Sequence, residues 1–446
     1  MSLRNDLDNG RPTKRLESWD IASMWLSDRK DEIQDWWDFS GPQLATLAHE
    51  AGYSTMTQIE LLLFFRSVVL PRMGRFPDAC RPRACAQSRS ILTYDGSPIE
   101  YSWKWNNSAN DHPEIRFCVE PVGDGLCADG IVGGKLRATD EILVQLAKRV
   151  SSTDLEWYHH FRDSFGLGHW TDGPLHEDAG TWQVRRPRMP VAFEFTPKGI
   201  VTKVYFTPPA TLDDMPSFNM FADVVRPICD KDTTALDESM EYLSRDPVGA
   251  TLRPDVLAID CVSPLKSRIK LYAGTAMTTF TSAISVLTLG GRIPVTRHSI
   301  DEMWALFRMV LGLHDKFLQD EELPVQNPFQ PSRAHPEDYY SGLLYYFNLA
   351  PGAQLPDVKL YLPVIRYGRS DADIALGLQR FMASSHRGQY VDGFQRAMEI
   401  ISQRHKSGNG HRIQTYIACS FDKDGSLSLT SYLNPGVYFS SETVDV

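Results

Sequence analysis

"TKVYFTP" at residues 202–208, "RIKLYAGT" at 268–275 and "DVKLYLPV" at 357–364 each place a lysine two positions before a tyrosine, across one apolar residue. A β-strand turns successive side chains to opposite faces. Lys203 with Tyr205, Lys270 with Tyr272 and Lys359 with Tyr361 therefore share a face, and Val204, Leu271 and Leu360 point the other way. If the apolar faces pack on helices, the opposite faces converge on one interior that is both basic and aromatic. A solitary triplet reads more simply as a solvent-facing sheet, with lysine for solubility and tyrosine for β-propensity. Three triplets, with Arg116-x-Cys118 as a degenerate fourth, leave both readings open on spacing alone.

The intervals extend the pattern. Arg116, Lys203, Lys270 and Lys359 lie 87, 67 and 89 residues apart, and Tyr432 follows Tyr361 by 71. Strand-like runs at 99–105, 114–121, 191–197, 200–208, 267–274, 357–364, 414–421 and 428–433 fall between helical segments. The runs 191–197 and 200–208 read as a hairpin across "PKG". Ser299 with Glu302 and Ser370 with Asp373 read as helix starts. A repeat of this length is too long for a solenoid but suits two helices and a hairpin used about five times. Such units supply roughly ten antiparallel strands, enough to close an α+β barrel around a solvent-filled interior with helices outside. Hairpins in place of β-α-β crossovers disfavour a TIM barrel. No linker rich in Gly, Pro or Ser divides the chain, so residues 1–446 read as one domain, with 1–20 as a loose polar tail.

With 446 residues, 42% of them hydrophobic, and a formal net charge of −10, the chain has the composition of a soluble globular protein. The acidic balance argues against a general nucleic-acid or anionic-membrane binder. The most apolar run, residues 59–71, is broken by Arg66 and closed by Pro71, and reads as a buried helix. Seven scattered cysteines and the absence of an apolar leader-like segment point to a reducing, cytoplasmic setting.

A closed interior rich in Lys and Arg repels itself and calls for an anion; diphosphate, surrounded by Arg116, Lys203, Arg268, Lys270 and Lys359, is the natural guest. Tyrosines beside it would shield a carbocation through their π faces without offering a strong nucleophile. Together these are the tools for ionising an allylic diphosphate. Other signals carry less. "TLGGR" at 288–292 lacks a phosphate-loop pattern and reads as a helix C-terminal cap; His159-His160 and the Cys80/Cys85 pair lack metal-ligand spacing. No D-D-x-x-D motif is present, and "LDDMP" at 212–216 does not supply one, which disfavours a magnesium-dependent isoprenyl synthase.

With "SPIEYSWKWN" (97–106), "EIRFCVEP", "TKVYFTP", "SRIKLY", "TLGGR" and "VKLYLP" in this order, the chain resembles the fungal dimethylallyltryptophan synthase (DMATS) family of aromatic prenyltransferases, over roughly residues 30–435. The resemblance implies the ABBA or PT barrel. It also implies metal-independent transfer of a dimethylallyl group from dimethylallyl diphosphate to an aromatic small molecule, usually an indole, in fungal secondary metabolism, with magnesium or calcium acting at most as a stimulant. Carried over by position, it makes Glu100 the carboxylate that accepts the indole N–H. It assigns diphosphate binding to Arg116, Lys203, Arg268, Lys270 and Lys359, and the cation shield to Tyr205, Tyr272, Tyr361, Tyr416 and Tyr432. Trp103 and Met189 fall at the acceptor, and no metal ligand is implied.

On the residues alone, a carboxylate on an otherwise aromatic strand is costly to bury without a donor, and an ion pair between Glu100 and an interior lysine is the competing reading. Two departures bear on the acceptor. Members acting on C4 of free tryptophan carry a lysine where Met189 and Pro190 stand, and Ser428 stands where some members add a tyrosine. Both point to a larger acceptor such as a tryptophan-derived cyclic dipeptide, an indole alkaloid or an indole diterpene. A phenolic or tyrosine-type acceptor, and a non-catalytic barrel binding an acidic or lipidic ligand, are the alternatives. A monomer and a homodimer are both compatible with the sequence.

Overall fold

The computed structural model describes residues 16–25, 32–77, 90, 92–105, 112–122, 132–169, 184–185, 187–196, 199–211, 215–229, 232–327, 342–404 and 412–437. Ten antiparallel strands close into a barrel: β1 (Ile99–Trp105), β2 (Glu114–Val119), β3 (Val191–Thr196), β4 (Gly199–Phe206), β5 (Arg253–Asp260), β6 (Ile269–Thr275), β7 (Leu343–Leu349), β8 (Asp357–Leu362), β9 (Gln414–Phe421) and β10 (Leu427–Leu433). Each strand pairs with the next in sequence. β1 closes the ring on β10, with Tyr101 opposite Leu433 and Trp105 opposite Leu429. Closure leaves no unpaired sheet edge.

Helices alternate with the hairpins, as the long interval between Lys-x-Tyr triplets predicts. α1 (Glu17–Met24), α2 (Glu32–Glu50) and α3 (Thr55–Phe64) precede β1, while α4 (Val132–Arg149) and α5 (Glu156–Ser164) separate β2 from β3. α6 (Phe218–Val225) and α7 (Thr234–Arg245) precede β5, and α8 (Phe280–Leu287) and α9 (Arg297–Leu311) precede β7. One helical turn, Val364–Tyr367, then α10 (Asp371–Ala383) and α11 (Val391–Arg404) precede β9. Residues 17–20, expected in a tail, instead open α1: Trp19 stacks on Trp37 at 4.4 Å, and the buried Ser18 donates to Gln58 at 2.6 Å. Residues 1–15 lie outside the described residues, as do Cys80, Cys85 and 212–214 of "LDDMP".

Period-two alternation divides each strand between two environments. Ile99, Tyr101, Trp103 and Trp105 of β1 are all but fully buried on the outer face, as are Val204, Leu271 and Leu360 of the triplet strands. Trp103 and Trp105 stack at 5.8 Å, and both meet Phe394 of α11 edge-on, at 5.9 and 5.3 Å. Trp103 therefore belongs to the helix–barrel core and not to an acceptor pocket, because it alternates with Glu100 and so faces away from the lumen. Met189 is likewise packed in the outer core, with its carbonyl accepting from Thr139 of α4 at 2.7 Å. No helix among the described residues is long and apolar enough to cross a membrane.

Local signals fare unevenly. Ser370 caps α10 as read, accepting from the Asp373 N–H and donating to its carboxylate. α9 starts three residues earlier than expected: Thr296 is its cap, accepting from the Ser299 N–H, and the Ser299 hydroxyl turns to the Gly425 carbonyl at 2.6 Å. "TLGGR" ends α8 with three successive residues at positive φ, Leu289, Gly290 and Gly291, which fits the C-cap reading. Trp103→Ala should remove a large filled volume between barrel and helix and destabilise the fold by about 3–5 kcal/mol; denaturant unfolding measures it, and a loss under 1 kcal/mol, on the scale of ordinary surface changes, would contradict this packing.

Candidate active site

The register fixes which residues line the lumen. Around the ring, Glu100 lies opposite Cys118, Arg116 opposite Glu194, and Lys203 opposite Asp260. Tyr272 lies opposite Tyr346, which in turn lies opposite Lys359; Tyr361 faces Ala418, and Thr430 faces Lys104 across the closing pair. The basic and aromatic residues picked out by the triplets thus share one interior, and the solvent-facing alternative falls.

Six carboxylate contacts organise the cations. Glu194 of β3 binds both Lys203 (2.5 Å) and Arg116 (2.8 Å), and Glu114 binds Arg116 and Lys104, the latter at 3.4 Å. Asp260 at the end of β5 holds Lys270 at 2.8 Å and Arg268 at 2.7 Å. The result is an alternating belt of Lys104, Glu114, Arg116, Glu194, Lys203, Asp260, Lys270 and Arg268. Burial favours the neutral forms of Glu194 and Asp260, yet the neighbouring cations outweigh it, holding Glu194 well below the usual carboxylate range and Asp260 at about 2. Lys359 is different. It donates to Thr430 at 3.0 Å and has no carboxylate in ion-pair range among the described residues.

Positive charge remains in excess, since Lys104, Arg116, Lys203, Arg268, Lys270 and Lys359 face Glu114, Glu194 and Asp260. Burial pulls Lys270 down to about 7 against Asp260, and burial with Arg116 and Lys104 brings Lys359 to about 7. Lys203 is lowered by burial and Arg116, with Glu194 opposing. The buried Nε of Arg116 has no acceptor among the described residues. An unpaired guanidinium nitrogen amid excess cations suits an anionic guest.

Beside the belt, Tyr205, Tyr272, Tyr361, Tyr416 and Tyr432 gather as one cluster. Tyr361 is the hub, with ring centroids 5.9 Å from Tyr272, 5.9 Å from Tyr416 and 5.4 Å from Tyr432, and Tyr205 reaches Tyr272 at 5.9 Å. The Tyr432 hydroxyl donates to that of Tyr361 at 3.3 Å. Burial raises all of these phenols whose shift is resolved, so they present π faces and neutral hydroxyls in place of phenolates. Ser428 also lines the lumen, opposite Ser420.

Glu100 stands apart from the cations. Its Oε1 accepts from Thr415 at 3.2 Å, and no ion pair to it is found among the described residues. An irregularity in β9 between Gln414 and Ile417 brings Thr415 to the carboxylate while Tyr416 joins the tyrosine cluster. Burial pushes the Glu100 carboxyl up to about 8, with the Thr415 bond opposing. The arrangement leaves a neutral carboxyl available to an N–H or O–H of a guest.

Several site residues escape the sequence reading. Glu194 stands inside the quoted "VAFEF" run and could be found by pairing it with Arg116 and Lys203. Asp260 and Tyr346 lie on β5 and β7, the two strands not anticipated; Asp260 ends the apolar run "VLAID", a detectable signal. Thr415 depends on the β9 irregularity and has no sequence signal.

A closed ten-stranded barrel carrying a cationic belt, a tyrosine cluster and a lone carboxyl in its lumen defines a class, the barrel aromatic prenyltransferases. Residues 32–397 match the tryptophan dimethylallyltransferase family. The chain is 43% identical over 437 residues to the DMATS-type prenyltransferase fscG of Fusarium equiseti, covering 97% of this chain and 98% of that one. It is 33% identical over 439 residues to xanthone prenyltransferase B of Emericella nidulans, covering 95% and 92%. The fold is similar to the crystal structure of AnaPT from Neosartorya fischeri, with TM-score 0.70 and 20% identity over 94% and 97% of the chains. It is also similar to that of NotF in complex with brevianamide F and DMSPP, with TM-score 0.69 and 19% identity over 94% and 98%. The chain belongs to the tryptophan dimethylallyltransferase family and is an aromatic prenyltransferase.

Inorganic diphosphate added to the protein at about pH 8 should bind with net proton uptake, because an anion favours the ammonium forms of lysines left mostly neutral at that pH. The sign follows from Lys270 and Lys359, both at about 7 when unliganded and raised by a bound anion. Affinity should accordingly weaken as pH rises above 7. Calorimetry in two buffers of different ionisation enthalpy reads the uptake, and proton release would show that these lysines do not hold the anion.

Proposed function

We propose that this enzyme ionises dimethylallyl diphosphate in the cationic belt and transfers the dimethylallyl group to an electron-rich ring held at Glu100. The observation that carries the reading is the adjacency, in one closed lumen, of the belt and the five-tyrosine cluster. Arg116, Lys203, Arg268, Lys270 and Lys359 take the negative charge that grows on the diphosphate as its C–O bond breaks. The tyrosine faces cover the cation while the acceptor ring attacks it, and loss of the ring proton restores aromaticity. Fixed cations do here what divalent ions do in other diphosphate-ionising enzymes, so the reading includes activity without added metal. The four described cysteines outside any disulfide, Cys118, Cys229, Cys261 and Cys419, support a cytoplasmic setting.

The first reading of the acceptor is an indole natural product whose N–H donates to Glu100. A phenolic acceptor is the second, and one observation favours it: with its carboxyl raised to about 8, Glu100 once deprotonated is a far stronger base than an ordinary glutamate and is better matched to a phenol O–H. The similarity to a xanthone prenyltransferase over nearly the whole chain supports the same reading.

The test incubates the protein with dimethylallyl diphosphate and a panel of indoles, cyclic dipeptides, phenols and xanthones, and looks for a product heavier by one C5H8 unit. Glu100→Gln should keep the fold and lower turnover by roughly 100-fold or more, the scale of losing one acid–base group. Transfer should survive excess EDTA. Near-normal turnover in Glu100→Gln would remove Glu100 from the mechanism, and product formed only after magnesium is restored would remove the belt from its role.

A further inference from the structure

Tyr346 of β7 faces the lumen between Tyr272, its partner across β6, and Lys359, its partner across β8. Its ring meets Tyr272 edge-on at 5.4 Å and Tyr361 at 6.0 Å, so it extends the aromatic wall by one member. Its hydroxyl is used differently from those beside it. Tyr272, Tyr361 and Tyr432 bond to one another through their hydroxyls, at 3.5 and 3.3 Å. The Tyr346 hydroxyl makes no hydrogen bond to a described residue, and Arg268, Arg116 and Asp260 are the charged groups near enough to act on it, with Asp357 on the neighbouring strand.

A half-buried phenol whose hydroxyl bonds to no described residue, at the junction of a cationic belt and an aromatic wall, holds a donor open to the lumen that suits an anion there. We infer that Tyr346 is a further catalytic residue, whose ring walls the carbocation and whose hydroxyl donates a hydrogen bond to the departing diphosphate. The inference rests on the prenyl-transfer reading for the ring, whereas the hydroxyl can be tested without it. In the step itself the C–O bond of the donor breaks and its electron pair stays on the diphosphate oxygen. The phenol keeps its proton, stabilising that oxygen by a hydrogen bond alone.

Two variants separate the two roles. Tyr346→Phe keeps the ring and removes the donor, so binding of inorganic diphosphate should weaken about tenfold and kcat should fall by a similar factor, the worth of one hydrogen bond to a charged group. Tyr346→Leu removes the wall as well, so more of the ionised donor should be captured by water, read as a several-fold rise in dimethylallyl alcohol per prenylated product. That partition ratio does not respond to a merely structural loss, and circular dichroism with thermal unfolding checks that both variants fold. Unchanged diphosphate affinity in Tyr346→Phe overturns the role of the hydroxyl, and an unchanged partition ratio in Tyr346→Leu overturns that of the ring. Should Tyr346→Leu fail to fold, Tyr346→Met takes its place in the partition assay. Failure of the unsubstituted protein to prenylate any aromatic would sink the transfer reading instead, and the diphosphate titration would still decide the hydroxyl.

Discussion

Keeping six cationic side chains inside a closed barrel is the constraint on which the rest of this structure depends. Removing a single ammonium or guanidinium group from water costs several kcal/mol after relaxation, and like charges at short range add to that. The protein meets the cost only in part. Glu114, Glu194 and Asp260 each bridge two cations, and Lys359 is left with a threonine hydroxyl. Full compensation would produce an inert salt-bridge network. Partial compensation leaves a positive potential in the lumen and brings Lys270 and Lys359 down to about 7.

Such a belt can exist only if the surrounding framework is stable without it. The outer face of the barrel supplies that stability. Trp103, Trp105, Phe117, Phe193, Tyr345 and Phe347 are fully or almost fully buried against the helices, on the same strands that carry the charged residues inward. Strand alternation therefore separates two tasks along a single chain: odd positions in β1 pack and even positions face the lumen. Closure of the sheet matters for the same reason, since an open edge would admit water between strands and weaken every interaction in the belt.

This division also explains what the sequence makes legible. The Lys-x-Tyr triplets reveal which residues share a face, and their spacing reveals the repeat of hairpin and paired helices, because both follow from local periodicity. Periodicity does not say which face is inside. The resemblance places both Glu100 and Trp103 at the acceptor, although a strand cannot turn residues three apart to one face, and the structure puts Trp103 on Phe394. The partners of the cations were harder to see, since Asp260 is 57 residues from Lys203 and only the β4–β5 register brings them together. β7 escaped for a different reason: "LLYYFNL" is a short apolar run that fits a buried helix as well as a strand. The cap of α9 moved from Ser299 to Thr296 because the Gly425 carbonyl, 126 residues away, claims the Ser299 hydroxyl.

The lumen holds carboxyl groups in opposite states. Glu194 and Asp260 lie in the belt, where cations outweigh burial and keep them ionised. Glu100 has only the Thr415 hydroxyl as partner among the described residues, and burial keeps it protonated near neutrality. The difference comes from what stands opposite each carboxyl: Arg116 pairs with Glu194 across β2 and β3, whereas Cys118 faces Glu100 across β1 and β2. A lysine at position 118 would tie Glu100 into the belt as another structural carboxylate. A thiol raised by burial supplies no charge, so the glutamate keeps a hydrogen-bonding valence for a guest. The contrast between ionised carboxylates in the belt and a protonated carboxyl outside it thus accompanies the two-residue step from Arg116 to Cys118 along one strand.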